Sequence, residues 1–150
     1  MGHKYSDLDC VGAAIGMWCA AAQTLKRPAY IVVNKQQSLA GPLIDSMNAE
    51  FPGRDVFLTP QEAMMLVTPR SMLIVVDTHS QDFVESRELL ESVLRVVVID
   101  HHRMMVKHIE NALVFYHETY ASSTAEMVAE LLQYICLLYT SDAADDLLCV

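Results

Sequence analysis

The chain has 150 residues, of which 53% are hydrophobic and 19% are charged. This length is enough for one sizeable hydrophobic core, so the composition predicts a single domain. The formal net charge of −9 argues against a protein that grips long nucleic acid, because such proteins need a broad basic face. A nucleotide substrate is not excluded, since bound divalent cations can create an anion site inside an acidic protein.

Cysteine spacing and hydropathy exclude several other classes of protein. The four cysteines show no CxxC pairing, so the sequence predicts neither a zinc knuckle nor a disulfide framework. Reduced thiols in a cytosolic protein are the expected state. The sequence has no apolar run of about 18 residues and no signal-peptide layout, so we expect a soluble chain.

Apolar runs and capping signals predict helices and strands in alternation along the chain. Short runs rich in β-branched residues are typical of strands buried on both faces, and they occur at residues 29–33, 72–76 and 95–99. Helical patterns occur at residues 10–25 and 42–51, from the capping box at Thr59 through Val67, and from the cap at Ser123 through about Ile135. The helices before Ser123 are expected to connect successive strands.

This alternation predicts the fold class and the place of the functional site. Strands that alternate with helices are typical of an α/β, Rossmann-like fold, with a mostly parallel sheet and helices on both faces. Ligands of such sheets bind at the carboxyl ends of the strands. Asp77 directly follows the strand at 72–76, and Asp100, His101 and His102 directly follow the strand at 95–99. The sequence therefore predicts that these side chains share one edge of the sheet.

A third polar group lies at the start of the chain, where His3, Asp7 and Asp9 form an HxxxDxD motif. A loop between a strand and a helix can turn these three side chains toward one point, beside the positive end of the helix. Imidazoles and carboxylates without a thiolate favour Mn²⁺, although Co²⁺, Fe²⁺ or Zn²⁺ fit similar geometry. Two such cations about 3.5–4 Å apart can activate water and stabilise the attacking and leaving oxygens of a phosphoryl displacement.

The order of these motifs resembles that of a known superfamily. HxxxDxD, a strand that ends in aspartate, and DHH after a second strand resemble the DHH phosphoesterases, which include manganese pyrophosphatases, RecJ-like nucleases and oligoribonucleases. The segments GHKYSDLDCVGAAIGM, VVVIDHHR and YHETYASSTAEMVAELLQY are similar to GdpP-type cyclic-di-AMP phosphodiesterases, over residues 1–135. The resemblance implies hydrolysis of cyclic di-AMP to pApA, by the cytoplasmic domain of a membrane-anchored parent protein that is able to dimerise.

The resemblance also implies which residues hold two divalent cations, expected to be Mn²⁺. His3, Asp7 and Asp77 would hold one cation. Asp9, Asp77 and His101 would hold the other, so that Asp77 bridges the pair. This assignment predicts that all five side chains converge.

A second set of residues is implied to act on the substrate. His102 would contact the scissile phosphate or the leaving oxygen, with Arg103 as a further phosphate contact. Asp100 would orient an imidazole by a hydrogen bond without itself binding a cation. Together with Asp77, His102 and Asp100 form the catalytic set that the resemblance implies. His79, His108 and His117 are predicted to be structural or exposed, with His79 the nearest to the site.

The family pattern also predicts that this domain is incomplete at both ends. The strand that delivers His3 is expected to begin before Met1, and a further aspartate in a GIxxDT-like motif and a DHHA1 domain are expected after the last helix. Residues 136–150, CLLYTSDAADDLLCV, are interpreted as a non-native tail, because they lose helical periodicity. Their acids, Asp142, Asp145 and Asp146, are predicted to be poor substitutes for the missing aspartate.

Two alternatives to a cyclic-di-AMP phosphodiesterase stay open from the sequence. One is an oligoribonuclease or a pyrophosphatase of the same superfamily, because the region that selects the substrate lies outside these residues. The other is an inactive fragment that binds metal or nucleotide, because the further aspartate and the second domain are missing.

Overall fold

The computed structural model describes residues 1–140, with side chains described through residue 135. Five strands lie in this part of the chain: β1 (Ile31–Val32), β2 (Phe57–Leu58), β3 (Met72–Val76), β4 (Arg95–Asp100) and β5 (Val114–His117). Five α-helices accompany them: α1 (Leu8–Trp18), α2 (Gly41–Glu50), α3 (Pro60–Leu66), α4 (Arg87–Ser92) and α5 (Thr124–Thr140). A π-helical segment, Cys19–Thr24, continues α1.

The strands form two parallel sheets. β1 pairs with β2, and β3, β4 and β5 form a second sheet in that order. In the second sheet Val76 is paired with Ile99, and Asp100 is paired with His117. The carboxyl ends of β3, β4 and β5 therefore meet at one edge. The predicted α/β class with parallel strands is confirmed.

The two faces of the three-stranded sheet contact different helices. Val76 and Ile99 lie in one hydrophobic core with residues of α1 and α5, whereas Val75 and Val98 lie in a second core with residues of α3 and α4. Alternate strand residues point to opposite faces, so an uninterrupted apolar run supplies both cores. Full burial of one such side chain contributes roughly 1.5–3 kcal/mol. Helices on both faces are thus a consequence of the MLIVV and RVVVID runs.

Several predicted boundaries need correction. The first helix begins at Leu8 rather than residue 10, because the Asp7 side chain accepts a hydrogen bond from the Cys10 N–H and caps it. The last helix continues to Thr140 rather than ending near Ile135, since no glycine or proline lies there to stop it. The boundary predicted after residue 135 falls inside this helix. Residues 141–150, including Asp142, Asp145 and Asp146, lie outside the described residues.

Other elements agree with the predictions or were missed by them. The capping box at Thr59 is confirmed, because its hydroxyl accepts from the Glu62 N–H while the Glu62 carboxylate accepts from the Thr59 N–H. Strand β2 has only two residues, and the sequence signals did not predict it, α4 or β5. No helix within residues 1–140 is long and apolar enough to cross a membrane.

A large cavity is lined by residues of both sheets. It has a volume of about 920 Å³ and is lined mainly by apolar side chains of α1, β1, α3 and β3. None of the predicted site residues lines it. Chemistry that needs carboxylates and imidazoles therefore belongs to the edge of the sheet.

Candidate metal centre

The start of the chain is held against the edge of β3. The Met1 amino group donates to the Ile74 carbonyl at 3.0 Å, and the Val76 N–H donates to the Met1 carbonyl at 3.0 Å. Gly2 follows in a crowded position, where an added Cβ would lie 1.9 Å from the Cys10 sulfur. Glycine is needed here for this close approach. These contacts bring His3 beside Asp77.

Asp77 lies at the centre of the polar cluster. Its side chain is 2% exposed, and its backbone adopts a left-handed conformation with φ of 61°. One carboxylate oxygen, Oδ2, lies 3.4 Å from His3 Nε2, and the other, Oδ1, lies 3.7 Å from His101 Nε2. Left-handed backbone in a residue other than glycine is found often at functional sites. His102 Nδ1 also lies 3.6 Å from Oδ1, so one oxygen of Asp77 faces His3 and the other faces both histidines of the DHH motif.

Backbone carbonyls orient both of these histidines. His3 Nδ1 lies 2.7 Å from the Lys4 carbonyl, and His101 Nδ1 lies 3.2 Å from the Ala121 carbonyl. A carbonyl only accepts, so each Nδ1 carries hydrogen and each Nε2 faces Asp77. Metal-binding histidines commonly donate their second ring N–H in this way, which fixes the ring and leaves the other nitrogen to the metal.

Asp7 joins the cluster from the side of His3. Its Oδ1 atom lies 3.9 Å from His3 Nε2 and accepts the Cys10 N–H at 3.0 Å. The same carboxylate therefore caps α1 and faces the imidazole. The Cys10 sulfur is also close, within 4.8 Å of the ligating atoms of His3 and Asp77. This thiol is not among the donors predicted from the sequence, which are imidazoles and carboxylates.

Asp9 joins the cluster from the side of His101, with 3.6 Å between its Oδ2 atom and His101 Nε2. Both of its oxygens also accept backbone hydrogen bonds at the start of α5, from Thr124 at 2.9 Å and Ala125 at 2.7 Å. The positive end of α5 is thus occupied by a carboxylate of this chain. Asp9 holds α5 against α1 and is kept in place by it.

Thr124 is a site residue that the sequence analysis missed. Its fully buried hydroxyl donates to Asp77 Oδ1 at 2.9 Å. The only sequence signal was a capping motif, which predicts where a helix begins but not which carboxylate lies nearby. Thr124 fixes the orientation of the Asp77 carboxylate.

The electrostatics of the cluster favour positive charge between Asp77 and the imidazoles. The adjoining Asp77 carboxylate, with a further contribution from Cys10, raises the pKa of His3 to about 11. Burial alone would raise the pKa of Asp77, but its interactions with His3 and Thr124 outweigh burial and lower that pKa. The negative potential that stabilises the proton on His3 would also stabilise a divalent cation bound in its place.

A second set of contacts surrounds Asp100, which is fully buried. Its Oδ2 atom makes a short hydrogen bond with His79 Nδ1, and its Oδ1 atom accepts from His102 Nδ1 at 2.8 Å and from the His102 N–H at 3.2 Å. His117 Nε2 donates to the His102 carbonyl at 2.5 Å. We call His79, Asp100, His102 and His117 the Asp100 network.

Two histidines and one arginine lie around the DHH motif. His79 and His117, predicted as structural or exposed, contact the DHH motif directly. β5 carries His117 to the sheet edge, and that strand gave no sequence signal. Arg103 is exposed in the loop after β4.

The residues present fit divalent cations. His3, Asp7, Asp9, Asp77 and His101 we call the Asp77 cluster. Its imidazole-to-carboxylate distances of 3.4–3.9 Å are longer than hydrogen bonds. Ligating atoms of His3, Cys10 and Asp77 lie within 4.8 Å of one another, as do those of Asp77, His101 and His102, while Asp7 and Asp9 each approach one histidine. Such spacing suits groups that share a cation, because ligands about 2.0–2.2 Å from one ion stand apart from each other.

Comparison with known proteins agrees with this geometry. Residues 1–149 match the model of the DHH family, N-terminal domain. The chain is 40% identical over 136 residues to the cyclic-di-AMP phosphodiesterase GdpP of Bacillus subtilis, covering 89% of this chain and 20% of that protein. It is 39% identical over 138 residues to the cyclic-di-AMP phosphodiesterase PdeA of Listeria monocytogenes, with the same coverages.

A solved structure shows the same fold. An exopolyphosphatase-related protein from Bacteroides fragilis superposes with a TM-score of 0.64 at 18% identity, over 94% of this chain and 39% of that one. The chain spans about a fifth of the length of its curated relatives GdpP and PdeA. These relatives are phosphodiesterases by name. The chain belongs to the DHH family, in which it represents the N-terminal domain.

Proposed function

We propose that this chain is the metal-binding part of a phosphodiesterase that hydrolyses cyclic di-AMP to pApA with two divalent cations. The observation that carries this proposal is the division of the Asp77 carboxylate between His3 at 3.4 Å and His101 at 3.7 Å. A carboxylate so placed can bridge two cations. The substrate follows from the names of relatives that are 39–40% identical.

The donor set supports two sites that share Asp77. His3 and Asp7 would complete the first site, and Asp9 and His101 would complete the second. Because the predicted donors are nitrogen and oxygen, Mn²⁺ is the proposed cation. The bound cations would supply Lewis acidity, which activates water and stabilises negative charge at phosphorus.

The protein's own groups would position the substrate. His102 is proposed to contact the phosphate through Nε2, because its Nδ1 faces Asp100 at 2.8 Å. Asp100 keeps the ring in this orientation, and exposed Arg103 is proposed as a further phosphate contact from the loop after β4. Hydrolysis opens one phosphodiester bond: water adds its oxygen to phosphorus, and the ribose oxygen leaves with a proton.

The activity can be tested in a chimera, because this chain covers only part of its relatives. Residues 1–135 would replace the aligned segment of Bacillus subtilis GdpP, and cyclic di-AMP turnover would be measured with Mn²⁺. We expect formation of pApA, loss of at least about 100-fold in rate on Asp77→Ala, and no change on Asp45→Ala, an exposed acid of α2. Full activity of the Asp77→Ala chimera would refute the two-metal site.

The same experiment addresses the remaining proposals about substrate and boundaries. Preference of the chimera for pyrophosphate or short linear RNA would refute the cyclic dinucleotide as substrate. We propose that residues 1–135 suffice as the DHH part and that residues 136–150 are a non-native tail, so a chimera that needs residues 136–150 for activity would contradict this boundary. A cytoplasmic domain in a membrane-anchored parent, able to dimerise, completes the proposal.

A further inference from the structure

The side chain of His79 is only 2% exposed, and both of its ring nitrogens make hydrogen bonds within the protein. Nδ1 faces Asp100 Oδ2, and Nε2 lies 2.8 Å from the Met105 N–H. A carboxylate oxygen accepts and a backbone N–H donates, so Nδ1 carries the hydrogen and Nε2 accepts. The surroundings therefore select one neutral tautomer of His79.

Asp100 transmits this arrangement to His102. The Asp100 carboxylate has His79 on one oxygen and, on the other, the N–H and the Nδ1 atom of His102. With both oxygens engaged, the carboxylate plane is fixed. His102 Nδ1 must then donate to Asp100, which leaves Nε2 as the nitrogen available to a substrate.

His79 also holds the loop that follows the DHH motif. Its backbone carbonyl accepts from the Ile109 N–H at 2.9 Å, while its ring accepts from Met105. Nearby, Gln81 Nε2 donates to the His108 carbonyl at 3.3 Å. The middle and the carboxyl end of the loop at 101–109 are thus hydrogen-bonded to the segment that follows β3.

We propose that His79 is a positioning residue that fixes the Asp100 carboxylate and, through it, the Nδ1–H tautomer and ring orientation of His102, while it fastens the loop at 101–109. The importance of this role for turnover rests on the proposed function, in which His102 contacts phosphate. The tautomer itself does not depend on activity.

A competing explanation is a third metal site. His79, Asp100 and His117 have ligating atoms within 4.8 Å of one another. A metal there would need a nitrogen of His79, and both are already hydrogen-bonded. Metal binding would therefore displace either the Asp100 contact or the Met105 contact, and this displacement can be measured.

Two substitutions separate the contacts of His79. The amide of His79→Asn can reach the position of Nδ1 and donate to Asp100, but it cannot reach Met105. The longer side chain of His79→Gln can accept from the Met105 N–H, but it cannot place a donor at the position of Nδ1, beside Asp100. Val56→Ala serves as the control for lost stability, because Val56 is buried in the hydrophobic core that contains residues of α1 and α5 and is not a member of the Asp100 network.

The readout is nitrogen NMR of the imidazoles in the full 150-residue chain, without metal and in mildly alkaline solution. We expect His102 as the Nδ1–H tautomer in the wild type, in His79→Asn and in Val56→Ala. In His79→Gln we expect the Nε2–H tautomer to become the major form. Amide exchange of Met105 should be at least about tenfold faster in His79→Asn than in His79→Gln.

Several outcomes would overturn the proposal. One is an Nε2–H tautomer of His102 in the wild type or in His79→Asn, which remains informative even if His79→Gln does not fold. Another is an unchanged tautomer in folded His79→Gln. A third is loss of the His79 Nδ1 hydrogen when one equivalent of Zn²⁺ is added. Expected tautomers without hydrolysis by any chimera would refute the proposed function alone and would support the role of His79.

Discussion

Asp77 and Asp100 end adjacent parallel strands and are both buried, yet their surroundings differ in one decisive way. The histidine nitrogens nearest to Asp77 lie 3.4–3.7 Å away, whereas His102 Nδ1 lies 2.8 Å from Asp100. The Asp77 cluster has room for cations between its donors. The Asp100 network is closed by direct hydrogen bonds. The same pair of residue types can thus stand apart, as expected of groups that share a cation, or form direct hydrogen bonds, and a difference of less than 1 Å separates the two arrangements.

The largest effect should come from opening the Asp100 network. Asp100→Ala leaves His79 Nδ1–H and two donors of His102 without their acceptor inside the protein. We expect the free energy of unfolding of the metal-free chain to fall by about 3 kcal/mol. Denaturant titration measures this change.

The contrast between Asp77 and Asp100 predicts that Asp100→Ala should still be stabilised by a divalent cation. Stabilisation of folded Asp100→Ala by Mn²⁺ should persist, because the proposed ligands of the cation lie in the Asp77 cluster and do not include Asp100. Loss of all Mn²⁺ stabilisation together with a small change in metal-free stability would mean that Asp100 is itself a ligand.

The next effect should come from removing the charge of Asp77, the proposed bridging carboxylate. At a Mn²⁺ concentration one hundred times the dissociation constant, the wild type should gain about 2.7 kcal/mol of stability. If Asp77→Asn weakens binding about 100-fold, the same concentration gives about 0.4 kcal/mol. Thermal unfolding with Mn²⁺ and after chelation measures both gains.

A matched aspartate controls for nonspecific charge effects. Asp45→Asn, in the exposed face of α2, should keep the full Mn²⁺ gain. An undiminished gain in Asp77→Asn would contradict a shared bridging carboxylate.

The smallest effect should be the pH dependence of the metal-free chain. The pKa of His3 is raised from its usual 6.5 to about 11, so the protonated imidazole stabilises the folded state. This contribution is complete below pH 6.5 and is lost as the pH rises toward 11. Because the pKa of Asp77 is lowered from 3.8, its contribution is lost at acid pH instead.

The pH effect can be assigned to His3 by substitution. We expect the melting temperature to decline from mildly acid to alkaline solution, and to decline less in His3→Gln. The effect is small because solvent reaches part of the imidazole. An equal decline in both proteins would assign the alkaline loss to other groups.

Much of the fold was predictable because its signals are local. The runs at 72–76 and 95–99 are long and apolar enough to indicate buried strands, and the Thr59–Glu62 capping box marks the start of α3. β2 has two residues, and β5 has only partly buried or exposed ones, so neither produces a clear pattern. Their existence depends on neighbouring strands that are distant in sequence.

The candidate site was likewise predictable only in part. Its candidate residues were predictable because parallel strands end at one edge, which brings Asp77 and the DHH motif together. The contributions of Thr124 and His79 were not predictable. Thr124 reaches Asp77 across 47 positions of sequence, and His79 reaches Asp100 across 21, so no local pattern reports either contact.

The sequence by itself determined the family, the α/β class and the residues that converge at the strand ends, because periodicity and motif order are properties of the chain. Only the tertiary structure decided that Asp77 stands between two carbonyl-oriented histidines while Asp100 is closed by hydrogen bonds. The physical reason is that hydrogen bonding and metal ligation differ by fractions of an ångström in donor placement. Such distances are set by packing of α1, α5 and the three-stranded sheet.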